Sequence, residues 1–548
     1  MNTINIKVMN KINIINQLVY ILIIAVYIGF TGCSKDFLER PPQDRVTADN
    51  YYQSYEELRT STAPLYNIVW FDYNERAGYS IGDIRANNTL SKYFNPGYYL
   101  FTVTSLDYNL LDAWSSLFKV VAQSNNTMNN IAEKASNITE EEKNGAIAEC
   151  RFMRGTAYFL LVRIWGNVMI IEDNIELVEN PLITLNPIED VYKFIIRDLE
   201  YAVQNLPEKD EAGRLTKWSA EGMLAKVYLA FSGYGSTDGT RNQALLDSAK
   251  YYADDVCNNS GMELMENYED LFKYKYNVNR AGANNLESLF SLLWVPLGPW
   301  GASNVTLSDF AFDSEVVGGV SAWGSHRASY DILTTYKARD TIRLNATYMT
   351  DGVHYPEINQ SEGGYTFSGT DEAPLKKYVP GGPDDNEGMV ATMNSPLNTY
   401  ILRLADVYLV YAEACLGNSA SLTGGEGWHY FHLVRNRANM DTIQSITFED
   451  IMYERRIELA MEWQYWYDLV TWYYFKPDYI LNYINNQTRG AGYSHTKNPD
   501  GSLDVTIVDT LPQRVNATTE DIYFPYPESE IIQNPFFNQD PVPYDFGD

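Results

Sequence analysis

Cysteine, histidine and basic charge are all scarce in this chain. Of 548 residues only 4 are Cys and 5 are His. No CxxC pair occurs, which excludes zinc-ribbon and thioredoxin-type sites, because both need two closely spaced thiolates. So few imidazoles leave general acid–base chemistry by histidine poorly supplied. Lys plus Arg is 41 against 71 Asp plus Glu, a net charge of −30. Such a surface repels phosphate backbones, and no basic patch offsets it, so nucleic acid is excluded as a partner. There is no P-loop, GxGxxG or kinase signature, the frames that position a nucleotide or a transferable phosphate. Long hydrophobic runs are missing too. The one apolar stretch, Leu18 to Phe30, is shorter than the ~20 residues of a comfortable membrane span.

That short run fits a secretory signal core instead. It follows Lys7 and Lys11 and ends in Phe30-Thr31-Gly32-Cys33, the pattern of a lipobox. Residues 1–32 read as a lipoprotein signal and Cys33 as the lipidated first residue of a mature chain, 33–548. Two or three acyl chains anchor stably where one does not, so the outer surface of a membrane is reached by lipid rather than by a spanning helix. Cys150, Cys257 and Cys415 remain, an odd number at long spacings, so no disulfide framework is expected.

What is abundant is aromatic: 43 Tyr, 22 Phe and 11 Trp. Part of this is helix core. Apolar side chains recur at offsets 3, 4, 7, 8 and 11 along both Trp218–Phe231 and Leu404–Cys415, one face of an α-helix. Small residues (Ala225 and Ala230; Ala405 and Ala414) sit beside the large ones and let a second helix approach, as in tetratricopeptide pairs. Cys150–Trp165 and Phe448–Trp472 read as two further helices, the latter opened by a Thr447/Asp450 capping box. The expected class is all-α: tetratricopeptide-like helix pairs, about 105–260 and 400–475, with loop-rich stretches at about 71–104 and 277–398. The tail from 485 to 548, rich in Asn and Pro, is expected to wrap the surface. Loops this long and this aromatic are functional rather than disordered.

A series of short motifs then runs in order along the chain. They include Pro41-Pro42-Gln43-Asp44, Glu149-Cys150-Arg151-Phe152-Met153-Arg154-Gly155, Trp165-Gly166-Asn167, Leu402-Arg403-Leu404-Ala405-Asp406-Val407-Tyr408-Leu409, Glu454-Arg455-Arg456-Ile457-Glu458-Leu459-Ala460 and Phe524-Pro525-Tyr526-Pro527. In this order over nearly the whole mature length they resemble the SusD/RagB family of outer-membrane lipoproteins of Bacteroidetes. The resemblance implies a surface-exposed lipoprotein, anchored in the outer membrane, that captures an oligosaccharide and delivers it to a SusC-type TonB-dependent transporter without chemistry of its own. A peptide-binding member of the same family and a helical glycosidase are the alternatives.

Glycan capture needs flat exposed rings, since the C–H face of a pyranose meets the negative face of an aromatic, with planar polar groups at the rim. Family ligand contacts tend to come from the two irregular stretches. The candidates there are Tyr73, Asp83, Arg85, Tyr98, Tyr99, Trp300 and Trp323. Trp114, Trp165 and Trp463 lie in helical motifs and are expected in the core. The acid–base run Glu454–Glu462 reads as an ion network between helices, with Arg455 facing Glu458 at i,i+3. No cofactor is expected. Asp384-Asp385-Asn386-Glu387 offers hard oxygens in a Pro/Gly loop, a candidate calcium site, and His429 with His432 lacks any metal-binding frame.

Overall fold

The computed structural model describes residues 51–91, 95–509 and 514–547, with Gln17 and Val19. Cys33 and its lipobox lie outside the described residues. Among the described residues no helix is long and apolar enough to cross a membrane.

The frame is a succession of antiparallel helices. In chain order these are α1 (Tyr108–Lys134), α2 (Glu140–Trp165), α3 (Ile188–Asn205), α4 (Lys217–Ser232), α5 (Gln243–Asn259), α6 (Leu404–Leu416), α7 (Glu426–Arg437), α8 (Phe448–Glu458), α9 (Tyr465–Tyr473) and α10 (Pro477–Asn486). From α1 to α7 each packs on the next, the stacking expected of tetratricopeptide-like pairs. Local chemistry sets the ends. Asp107 accepts from the Leu110 amide at the start of α1, and capping boxes open α2 (Thr139/Glu142) and α8 (Thr447/Asp450); a cap of this kind contributes about 1 kcal/mol. Close approach is set by small residues. A Cβ on Gly222 of α4 would lie 3.0 Å from Val407 of α6.

Between α5 and α6 the chain leaves the frame for roughly 140 residues of mostly irregular structure. Two-stranded antiparallel pairs stitch it down: Thr89–Ser91 with His326–Ala328, and Ser288–Leu292 with Thr399–Arg403. The tail crosses the frame in extended form. The amides of Phe524, Glu528 and Val542 donate to the carbonyls of Ile164, Ser105 and Leu185.

Three expectations need correction. The segment 448–472 is two helices, not one. Between α8 and α9 the chain turns through Met461 and Trp463, both in the left-handed region (φ 63° and 60°), which no α-helical run tolerates. Residues 71–84 are not loop; they form one helical stretch containing two π-helical turns, Tyr73–Ala77 and Ser80–Ile84. Apolar periodicity at 3.6 residues misses a π-turn because each turn takes an extra residue. Finally, Arg455 does not pair with Glu458. It holds Asp468 (2.9 Å) and Asp406 (2.8 Å), and Asp406 in turn takes Lys226 of α4 (2.6 Å).

Glu458 belongs to a larger buried network. Arg403 bridges Glu287 (2.7 Å), Glu458 (2.6 Å) and Glu462 (2.7 Å). Arg343 meets Asp340 and Glu454, both at 2.5 Å, Arg435 also meets Glu454, Lys377 meets Glu462, and Arg437 joins Glu287 to Glu458. The five cations thus face five carboxylates, all with side chains under 5 % exposed. An unpaired charge here would cost several kcal/mol, so charge balance is a condition of folding. Burial pushes the Glu458 carboxyl up, but Arg437, Arg403 and Arg343 outweigh it and hold it at about 2.

Candidate functional site

The helical stretch 71–84 positions the site. Its inner face lies directly on the turn between α8 and α9. A Cβ on Gly82 would sit 2.4 Å from the Trp463 carbonyl oxygen, and one on Gly78 2.6 Å from the Trp463 ring. Glycine is therefore required at both, one turn apart: at Gly82 for backbone to meet backbone, at Gly78 for the indole of Trp463 to lie against the helix. Between them and the turn sits Asp83, fully buried. Its carboxylate accepts from the amides of Met461 (3.0 Å) and Trp463 (2.8 Å) and from Asn88 (2.8 Å). Burial still raises it, to about 6.

With that face fixed, the opposite face points outward: Asp72, Glu75 and Arg76 are half-buried while Tyr73, Asn74 and Ala77 are inside. Two tryptophans from the irregular region flank it. Trp300 stands at the tip of a loop closed by the Val295 amide on Ala302 (2.9 Å). The residue is 61 % exposed and its ring rests edge-on against Phe71, 5.1 Å between centroids, while buried Trp294 also meets Phe71 at 6.4 Å. Trp323 is half-buried; its backbone amide donates to Ser308 (2.8 Å) and its indole N–H to Ser321 (3.2 Å). The Arg76 guanidinium lies 5.8 Å from the Trp323 ring, steadied by Asp309, which accepts from Arg76 Nε (3.1 Å) and from the Tyr79 hydroxyl (3.0 Å). Burial raises the Asp309 carboxyl while Arg76 pulls it down. Phe71 and Arg76 are one π-turn apart on one helix, so the two indoles flank a single helical turn carrying Asp72 and Glu75. Burial also raises Glu75, partly offset by Arg76. The result is a shelf: flat rings at both ends and carboxylate and guanidinium groups between, able to stack on an apolar ring face and to hydrogen-bond hydroxyls in its plane.

Of the seven sequence candidates, two reach this stretch: Trp300 through Phe71 and Trp323 through Arg76. Four others are structural. Tyr73 is buried, its hydroxyl 2.8 Å from that of Tyr467. Asp83 caps the α8–α9 turn. Arg85 is sandwiched by Phe101, Trp466 and Phe524, its centre 3.4 Å from the Phe101 ring, and donates to the Asp521 carbonyl (2.6 Å). Tyr98 is buried, and its hydroxyl donates to the α1 cap Asp107 (2.8 Å). These four correct the expectation of ligand contact, because the helix carrying the first three turns that face to the core and the tail covers the fourth. Tyr99 is half-buried against Gly490, apart from the shelf. Trp114, Trp165 and Trp463 are in the core. Phe71, which supports Trp300, escaped the sequence reading; Gly78 and Gly82 spaced by four in an aromatic run are the signal that could have found its helix.

The loop proposed for calcium is differently committed. Asp385 accepts from the amides of Asn359, Gln360 and Gly382 at 2.8–2.9 Å, and Glu387 pairs with Arg280. His432 accepts from the Ile443 amide through Nε2 (3.0 Å), and its Nδ1 lies 2.7 Å from the Trp428 carbonyl.

Helical repeats under an irregular cap that carries an aromatic shelf define the class of protein, and comparison with known proteins gives the family. Residues 252–542 match the model of the SusD family. Residues 36–229 match a second model, described as starch-binding and associating with the outer membrane. A SusD-like protein of Bacteroides ovatus is 50 % identical over 536 residues, 95 % of this chain and 97 % of that protein. A crystal structure described as a complex with xylogluco-oligosaccharide is 50 % identical and superposes with a TM-score of 0.84, covering 90 % of this chain and 100 % of the other. A SusD homolog from Bacteroides thetaiotaomicron shares the fold at 20 % identity, TM-score 0.68, over 91 % of this chain and 100 % of the other. The chain belongs to the SusD family.

Proposed function

We propose that this protein binds an oligosaccharide on the Trp300–Trp323 shelf, without cleaving it, and passes it to a SusC-type TonB-dependent transporter in the outer membrane, where lipid on Cys33 tethers it. The observation that carries the reading is Trp300, 61 % exposed yet edge-on to buried Phe71, which in turn meets Trp294. Val295 and Leu297 of the same loop are exposed too, so Trp300 belongs to an apolar patch, the kind of surface that marks a binding site. The relative solved with xylogluco-oligosaccharide, at 50 % identity, supports a β-glucan backbone as the ligand class. Calorimetric titration with xyloglucan oligosaccharides tests binding: the wild-type protein binds, and the Trp300→Ala/Trp323→Ala double variant does not. Unchanged binding in the double variant refutes the shelf. Co-purification with a transporter from outer membranes, lost in Cys33→Ala only through release of the protein from the membrane, tests the delivery role.

A further inference from the structure

Away from the shelf, a cavity of about 440 Å³ opens between α8, α10 and the short helix Tyr330–Thr335. We propose that it is a second saccharide site, taking a neutral mono- or disaccharide unit. It shares no residue with the shelf and stands independently of it.

Two helices build it with the same register. On α8 the lining residues are Glu449, Met452, Tyr453 and Arg456; on α10 they are Tyr479, Asn482, Tyr483 and Asn486. Each set is i, i+3, i+4, i+7, a complete helical face. Such faces normally meet a neighbour through aliphatic side chains. Here α10 turns Ile480 and Ile484 into the core and presents phenols and carboxamides to the opening. The volume is within the ~300–1,000 Å³ of small-ligand sites.

Charge selects the ligand. Arg456, in the rear wall, is 2 % exposed, and each of its N–H groups has an acceptor: Asn88 Oδ1, the Asn87 carbonyl, Asp331, Thr335 and the Tyr483 hydroxyl. An anion would find those donors taken, with the Asp331 and Glu449 carboxylates facing it. A cation would find the guanidinium behind. A neutral polyhydroxylated ring meets no such conflict. The Tyr479 ring, 39 % exposed and edge-on to Phe448, offers a flat face for its C–H side. The side chains of Asn482 and Asn486, linked to each other at 2.9 Å and exposed, offer paired donors and acceptors for its hydroxyls.

The test uses the mature protein carrying Trp300→Ala and Trp323→Ala, so that the shelf is silent whatever its ligand. Cellobiose, maltose and lactose are titrated at millimolar concentration with binding read by saturation-transfer NMR; putrescine and inorganic phosphate serve as charged probes. The expected result is that at least one disaccharide binds, that neither charged probe does, and that adding Tyr479→Ala or Asn482→Ala weakens the disaccharide tenfold or more with an unchanged circular dichroism spectrum and melting temperature. Absence of any disaccharide binding, binding indifferent to both substitutions, or binding of putrescine or phosphate in preference to sugar overturns the proposal.

Discussion

The stretch 71–85 has two faces built from the same kinds of residue, and their fates are opposite. The inner face holds a tyrosine, an aspartate and an arginine (Tyr73, Asp83, Arg85), all buried, the first two matched to partners in the frame and the third to the tail. The outer face holds a phenylalanine, two acids and an arginine (Phe71, Asp72, Glu75, Arg76), of which Phe71 braces an exposed tryptophan and the rest line the shelf. Residue type does not separate structure from binding here; orientation does. What fixes orientation is contact with the turn at Met461–Trp463, nearly 400 residues further along the chain. Inside, the charges of the ion network are balanced, five cations to five carboxylates. Outside, the net charge of −30 is left to solvent.

That contrast can be broken at several points. The largest effect is expected at Glu458. Glu458→Gln leaves Arg343, Arg403 and Arg437 short of a carboxylate in the core and should cost about 3–5 kcal/mol in denaturant unfolding, with sugar affinity unchanged in the protein that remains folded. The same residue sets an acid limb. Its folded-state pKa of about 2 lies below the ordinary glutamate value, so its stabilisation is present above ~4.3 and is lost as pH falls towards 2.

Next is Gly82→Ala, whose Cβ would press on the Trp463 carbonyl at 2.4 Å. A loss of about 3 kcal/mol is expected, and because the helix must shift, ligand affinity at the shelf should fall as well. Preserved affinity would mean the shelf does not depend on that contact.

Asp83→Ala removes the acceptor from two buried amides and should cost about 2–3 kcal/mol. Asp83 also titrates in the opposite sense to Glu458. Its folded-state pKa of about 6 exceeds the ~3.9 of an unfolded aspartate. Between these values the native state binds more protons, so stability drops as pH rises from ~4 to ~6. Asp83→Asn should flatten stability across that window, as urea titrations at a series of pH values would report.

The smallest change to the fold is expected from Trp300→Ala. At 61 % exposure it should alter unfolding free energy by about 0.5 kcal/mol or less, yet weaken oligosaccharide binding tenfold or more, about 1.4 kcal/mol. A large stability loss with little change in binding would reverse the assignment of the two faces.

Several elements were legible from local sequence. The periodicity of Trp218–Phe231 and Leu404–Cys415 gave α4 and α6 within two residues at each end, and Thr447/Asp450 marked the start of α8. The ordered motifs pointed to the family, which the family-model matches and the 50 % identical relative bear out. The acid–base run 454–462 was read correctly as a network, but the partners of Arg455 were not, because Asp406 and Asp468 reach it from other helices.

The sequence by itself determined an all-α repeat frame, the bounds of α4 and α6, the start of α8 and membership of the SusD family, because helix periodicity, capping and motif order are carried by residues near one another in the chain. Only the tertiary structure decided which aromatic and charged residues of 71–104 face solvent. Two π-turns erase the local periodicity there, and the packing of Gly78, Gly82 and Asp83 against a distant turn chooses the face. Side-chain exposure is a property of that long-range contact and has no counterpart in the neighbouring sequence.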